Sequence, residues 1–171
     1  MLYIFGGLPG TGKSTLSSTL ARQRSAFYLR IDTIEQAMRN TGTAEIGPVG
    51  YAIAYRVALD NLRLGAEVVA DSVNPLEVTR VAWRETAALA KSSFVEIEIV
   101  CSDLDEHRTR VESRRTNIVG LKLPTWKDIV DREYEPWKTD HVVIDTAGQS
   151  LDQSISALFE ALCLRGYGHD T

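Results

Sequence analysis

Near the start of the chain stand eight residues that leave little choice of fold: Gly7-Leu8-Pro9-Gly10-Thr11-Gly12-Lys13-Ser14, a complete G-x-x-x-x-G-K-[ST] pattern. An apolar, β-prone stretch precedes it, Leu2-Tyr3-Ile4-Phe5. A helical pattern follows from Ser14 to Arg24, with Leu16 and Leu20 spaced i,i+4. Strand, glycine-rich loop and helix in that order are the context in which this pattern cradles phosphate. Gly7, Gly10 and Gly12 allow the backbone conformations and close approach that an anion nest needs. The helix N-terminus adds its dipole. Lys13 brings a point charge to the β- and γ-phosphates, and Ser14 offers a hydroxyl to Mg²⁺. The expected nucleotide contacts are therefore Gly7, Pro9, Gly10, Thr11, Gly12, Lys13, Ser14 and Thr15.

The rest of the chain alternates strand and helix patterns. Strands are expected at 2–6, 27–31, 67–71, 94–101 and 141–145. Helices are expected at 13–24, 33–40, 51–64, 76–91, 104–116, 126–134 and 151–164. In the last of these, Leu151, Ile155, Leu158, Phe159 and Leu162 fall on one face. Such alternation argues for an α/β protein: a three-layer phosphate-loop NTPase fold whose five-stranded parallel sheet carries helices on both faces. One strand departs from the pattern. Val95-Glu96-Ile97-Glu98-Ile99 alternates, so one face of it is expected to meet solvent or a partner. Residues 41–50 and 116–124 read as loops, the second closed by Pro124, with Thr125 and Asp128 as the cap of the next helix.

At 171 residues the chain is expected to form one domain, 1–171, with a lid at about 104–125. A hydrophobic share of 44% suits a soluble globular protein. No apolar run is long enough for a membrane span, and with a strand read from residue 2 no signal peptide is expected. Cys101 and Cys163 lack metal-ligand spacing and suit a reducing, cytoplasmic setting. The net charge of −4 argues against a broad nucleic-acid surface, though a local basic patch survives inside an acidic total. A monomer or homodimer is expected.

In a doubly wound sheet, ligands sit beyond the carboxyl ends of the strands. The second strand ends in Arg30-Ile31-Asp32 and the third in Val68-Val69-Ala70-Asp71-Ser72. Asp71 follows an apolar strand, as does a Mg²⁺-organising acid. Asp32 stands where an acceptor hydroxyl would need a base. The segment 103–117 concentrates Arg108, Arg110, Arg114 and Arg115. On a continuous helix Arg110 and Arg114 share one face. They are read as lid arginines that clamp the transferring phosphoryl group, with Arg114 first and Arg110 next. The alternative is a solvated helix with acids early and bases late. Arg39, Tyr51, Tyr55, Arg56 and Asn74 are candidates for lining an acceptor pocket beside Asp32, the two tyrosines being equally readable as core.

These residues resemble the phosphate-loop kinases of small molecules and polynucleotides, a group that includes polynucleotide 5′-kinases, chloramphenicol phosphotransferases, zeta-toxin-like kinases and gluconate or shikimate kinases. Ile31-Asp32-Thr33-Ile34-Glu35-Gln36-Ala37-Met38 is similar to the second-strand segment of antibiotic phosphotransferases, where the aspartate serves as base. Val69-Ala70-Asp71-Ser72-Val73-Asn74-Pro75, followed by Arg80 and Ala82-Trp83, resembles a stretch of phage polynucleotide kinases. The arginine-rich segment and Asp145-Thr146 stand in the order of a lid and an adenine-side loop, which implies nucleotide contacts from Arg114 and Thr146. The glycine pair of shikimate kinases is replaced by Val73-Asn74. The resemblance implies an ATP- and Mg²⁺-dependent kinase whose acceptor is a hydroxyl of a sugar, sugar acid, antibiotic or nucleoside. A polynucleotide 5′-hydroxyl, a nucleoside monophosphate, or hydrolysis without an acceptor are the alternatives. No N-K-x-D motif of a GTPase switch occurs, and Asp145-Thr146-Ala147-Gly148 lies too late in the chain to be its D-x-x-G element.

Overall fold

The computed structural model describes residues 1–43 and 45–168. Its elements, in chain order, are β1 (Leu2–Gly6), α1 (Lys13–Gln23), β2 (Phe27–Arg30), α2 (Ile31–Asn40), α3 (Val49–Arg63), β3 (Val68–Asp71), α4 (Glu77–Leu89), β4 (Phe94–Val100), α5 (Leu104–Ser113), α6 (Trp126–Val130), β5 (Val142–Asp145) and α7 (Leu151–Leu164). The sheet has five strands, all parallel, in the order β2-β3-β1-β4-β5.

Burial on both faces explains why β1 and β3 read as continuous apolar runs. Tyr3 and Phe5 point to one face and meet Leu16 and Leu20 of α1 and Leu158 and Leu162 of α7. Leu2 and Ile4 point to the other and meet Ala54, Ala58 and Leu62 of α3 and Trp83 and Ala87 of α4. The small residues of α3 bring that helix close to the sheet, and Trp83 of α4, fully buried, fills the space toward α3. The sheet edge that ends β1, β2 and β3 thus carries Gly7, Arg30 and Asp71, with Arg30 and Phe5 each directly paired to Asp71.

Several elements differ from their sequence expectation. α2 starts at Ile31 without a connecting loop, so Asp32 lies in the first turn of a helix and not on a free strand end. α5 ends at Ser113; Arg114 is already extended, with φ −65° and ψ 147°. Arg110 and Arg114 therefore do not share a helix face, and the same break separates Arg108 from Arg115. α6 stops at Val130, short of the expected 134. Thr125 and Asp128 do form a reciprocal capping box. The polar face of β4 is largely covered from within the chain, with Glu96 buried and Glu98 15% exposed. Glu96 accepts from Arg84 and Thr139, and Glu98 accepts from Tyr134, so α4 and the 133–141 segment cover it with a polar seam. Alternation in β4 marked a buried hydrogen-bonded layer, which sequence period alone does not distinguish from an exposed one.

Candidate active site

The glycine-rich loop has the backbone that its sequence demands. Gly7 and Gly10 sit at φ 132° and 92°. A Cβ on Gly7 would lie 2.2 Å from the Ile99 carbonyl oxygen, and one on Gly10 would lie 2.5 Å from Val111 Cγ2. Glycine is needed there for conformation and for space. The Thr11 hydroxyl donates to the Leu8 carbonyl at 3.0 Å and closes the loop. Lys13 and Ser14 then open α1, with Thr15 exposed on its first turn.

The Lys13 ammonium donates to Asp71 Oδ1 at 2.8 Å, and both groups are buried. The other oxygen, Oδ2, accepts from the Tyr28 hydroxyl at 2.6 Å. Burial pushes the Asp71 carboxyl up. The Lys13 charge and the hydrogen bonds from Lys13 and Tyr28 outweigh it, and the net position is below the ordinary carboxylate range, with Ser14 contributing in the same direction. Tyr28 is raised in turn, first by burial and then by the Asp71 charge.

On the far side of Asp71 stands Arg30. Its Nε lies 3.7 Å from Asp71 Oδ2 and its Nη2 lies 4.0 Å from Asp32 Oδ2. Nη1 donates to Asn117 Oδ1 at 2.9 Å, so the loop after α5 reaches across to β2. Asp32 is partly exposed to the cleft. Arg114 is half-buried near the same group. Burial lowers its guanidinium below the ordinary value, the Asp32 charge opposes that, and the Arg30 charge adds to it.

Arg110 faces a different neighbour. Its guanidinium donates to Thr146 Oγ1 at 2.7 Å, to the Thr146 carbonyl at 2.9 Å and to Glu106 Oε1 at 2.6 Å. Thr146 Oγ1 donates to the Thr11 carbonyl at 2.9 Å, tying the end of β5 to the phosphate loop. His107, buried on α5, donates from Nε2 to the Pro9 carbonyl at 2.9 Å and packs edge-on against Trp126. α5 is thus pinned to the loop at its middle.

One cleft of about 1700 Å³ joins these groups. Its walls include Pro9, Gly10, Gly12, Lys13, Ser14, Thr15, Arg110, Arg114 and Thr146 on the loop side, and Asp32, Arg39, Tyr51 and Tyr55 on the other. Gly7, Thr11 and Asp71 lie behind that wall, all buried. Tyr51 and Tyr55 are core and lining at once. The Tyr51 hydroxyl accepts from Asn74 N at 3.1 Å, and the Tyr55 hydroxyl donates to the Thr79 carbonyl at 3.2 Å. Both residues line the cleft. Two sequence candidates stand apart. Arg56, one position past Tyr55 and so turned by about 100° around α3, is exposed and outside the lining. Asn74 is fully buried at φ 52°, behind the wall, and reaches the site only through Tyr51. Arg39 pairs with Glu35 at 3.4 Å.

Arg30, Tyr28, His107 and Asn117 were not among the residues expected from sequence. Arg30 stands two residues before the candidate Asp32, and a signal lay in its place at a strand end on the ligand edge. The other three carried no local signal.

Ser14 and Asp71 supply two hard oxygen donors beside the phosphate cradle. That number suits Mg²⁺, which keeps waters and phosphate oxygens as its remaining ligands and needs no all-protein cage. No cluster of three or more His, Cys, Asp or Glu side chains able to hold a metal occurs among the described residues. Ser14, on the cleft wall, fits Mg²⁺ bound together with a nucleotide; Asp71, behind the wall with Oδ1 taken by Lys13 and Oδ2 by Tyr28, fits it once Lys13 turns to the phosphates.

A five-stranded parallel sheet with its phosphate loop after β1 and a paired lysine and aspartate beneath it defines a phosphate-loop kinase. Residues 2–133 match the family described as AAA domain, and the chain belongs to that family. It is 25% identical to the adenylyl-sulfate kinase of Synechococcus sp. (strain JA-3-3Ab), over 95% of this chain and 94% of that one. Among solved structures, that of a proposed kinase from Chloroflexus aurantiacus aligns with a TM-score of 0.74 at 19% identity, covering 98% of both chains. A gluconokinase from Sinorhizobium meliloti 1021 aligns at 0.67 and 15% identity, covering 95% of this chain and 91% of that one. These structural likenesses concern the fold. No helix among the described residues is long and apolar enough to cross a membrane.

Proposed function

We propose that this protein transfers the γ-phosphate of ATP to a hydroxyl group of a small molecule. The observation that carries the reading is the placement of Asp32 on the same cleft as the Lys13–Asp71 pair, with Arg30 between the two carboxylates. Lys13 and the loop N–H groups hold the β- and γ-phosphates, and Lys13 exchanges its partner Asp71 for phosphate oxygens. Ser14 and Asp71 hold Mg²⁺, which neutralises phosphate charge when bound. Asp32 accepts the proton of the acceptor hydroxyl as its oxygen attacks phosphorus and the bond to the β-phosphate oxygen breaks. Arg114, on the same cleft wall as Asp32, meets the transferring group, while Arg110 and Thr146 serve the nucleotide side. Segment 104–125 acts as the lid, with His107 its fixed point. The two free thiols, Cys101 and Cys163, suit the reducing cytoplasm.

A sugar, sugar acid, antibiotic or nucleoside is the acceptor class, supported by a large open cleft whose walls include Tyr51 and Tyr55. Names among the relatives, adenylyl-sulfate kinase and gluconokinase, also denote kinases of small hydroxylated molecules. The test is a γ-³²P transfer screen over those classes and 5′-hydroxyl oligonucleotides, with Asp32→Asn alongside. Transfer to a small molecule, lost in Asp32→Asn while ATP binding persists, supports the reading. Labelling of oligonucleotides alone, with a steep loss as salt rises, or hydrolysis with no acceptor, overturns it.

A further inference from the structure

The chain is acidic overall, at −4, yet its cleft is not. Eight basic side chains line the cleft against three acidic ones. The surplus is larger than the donor site uses. Lys13 is spoken for by the phosphates, Arg110 is held by Glu106 and Thr146, and Arg39 is paired to Glu35. On the acceptor side, Arg114, Arg115, Lys122 and Arg132 line the same walls, and none of them has a carboxylate within 4.0 Å among the described residues.

Arg30 is a largely buried cation on the acceptor side, with its side chain 13% exposed. A guanidinium has five N–H donors. Among the described residues, Arg30 places one of them in a hydrogen bond, to Asn117, and its buried Nε has no hydrogen-bond partner. Asp71 does not complete it, because the nearer oxygen is taken by Tyr28 and lies at 3.7 Å. Asp32 does not complete it either, at 4.0 Å. A half-satisfied, largely buried guanidinium costs free energy unless something else accepts its N–H groups. Its position separates it from the nucleotide cradle. Arg30 pairs across to Asp71, and Asp71 pairs across to Phe5, so Arg30 is two strands from the phosphate-loop strand, about 10 Å. It stands beside the proposed base and away from the nucleotide cradle.

We infer that Arg30 and Arg114, with Asn117, form a second oxyanion site that binds a phosphate- or sulfate-type group carried by the acceptor itself. This rests on the kinase reading above and narrows it: the hydroxyl that Asp32 deprotonates belongs to a phosphate or sulfate ester of such a molecule. The planar fork of Arg30 matches two oxygens of such a group. Tyr51 and Tyr55, which line the cleft, then receive the body of the acceptor. Asn117 couples the site to the lid, because the same Arg30 that holds the anion also holds the loop after α5.

The experiment titrates inorganic sulfate at constant ionic strength onto the full chain saturated with AMP-PNP and Mg²⁺, followed by calorimetry. With the phosphate loop occupied, one further sulfate should bind. Arg30→Gln should weaken it by about 10- to 100-fold, the scale of a lost charge-assisted hydrogen-bond pair. Arg63→Gln removes the same charge from an exposed position outside the cleft and should leave sulfate binding unchanged. Binding of AMP-PNP by Arg30→Gln reports that the variant is folded; should it not fold, Arg114→Gln repeats the test from the lid side. In turnover, matched acceptors with and without a phosphate ester should differ in KM for the wild type and converge in Arg30→Gln. No second sulfate on nucleotide-loaded protein, or equal weakening by Arg30→Gln and Arg63→Gln, overturns the inference while leaving the kinase reading standing. Failure of AMP-PNP to bind overturns the kinase reading first, and is seen before any sulfate is added.

Discussion

Asp71→Asn tests the centre of the site and separates its structural from its chemical work. In the free protein Asp71 faces Lys13 at 2.8 Å with both groups buried. At an effective dielectric of 20, that pair is worth about 6 kcal/mol of gross attraction, from which desolvation of both ions subtracts. Removing one partner of a buried pair costs about 3–5 kcal/mol, because the other charge is left uncompensated. Here the value should fall at the low end, about 3 kcal/mol, since Lys13 opens onto the cleft and can recover water, and since the asparagine carbonyl still accepts from Tyr28. With an m-value of about 2 kcal/mol/M, the urea midpoint should drop by about 1.5 M. The pH dependence follows from the depressed carboxyl of Asp71. A carboxylate lowered by folding contributes stability above its unfolded pKa, near 4, and loses it as pH falls through the folded value. Wild-type stability should therefore decline below about pH 4, and Asp71→Asn should lack that part of the slope. In calorimetry with AMP-PNP, the variant should bind nucleotide but gain little from added Mg²⁺. A loss of stability under about 0.5 kcal/mol, the scale of a surface substitution, together with wild-type Mg²⁺ dependence, would refute the assignment.

Arg114→Ala should lower turnover by about two to three orders of magnitude with nucleotide binding little changed, the scale of arginines that meet a phosphoryl transition state; a steady-state assay in which kcat is within twofold of wild type would return Arg114 to the solvated-surface reading. Trp83→Ala should cost about 3–5 kcal/mol in urea unfolding, because it empties a fully buried position between α3 and α4 and removes the edge contact with Tyr55 at 4.6 Å. The same variant should raise KM for the acceptor more than KM for ATP, since Tyr55 lines the acceptor wall; equal effects on both would deny that coupling.

The phosphate loop was legible in the sequence because its chemistry is local. Eight consecutive residues between one strand and one helix carry the anion nest, and no distant contact is needed to specify it. The sheet was legible for a related reason: parallel strands buried on both faces must be apolar throughout, and each helix between them shows its own period. Asp71 could be picked out because it follows such a strand directly. Tertiary structure decided the rest. α5 ends at Ser113, and Arg114 and Arg115 leave the face that a continuous helix would have kept. The polar face of β4 is inside because α4 and the 133–141 segment bring Arg84, Thr139 and Tyr134 to it. Arg56 and Asn74 dropped off the cleft wall by one helical step and by one buried turn. The cationic cleft inside an acidic chain was hidden for the same reason. Net charge is a sum over residues, whereas the field at Asp32 is set by Arg30 from β2, Arg114 and Asn117 from a loop after α5, and Asp71 from β3, which are distant in sequence and meet only when the sheet is assembled.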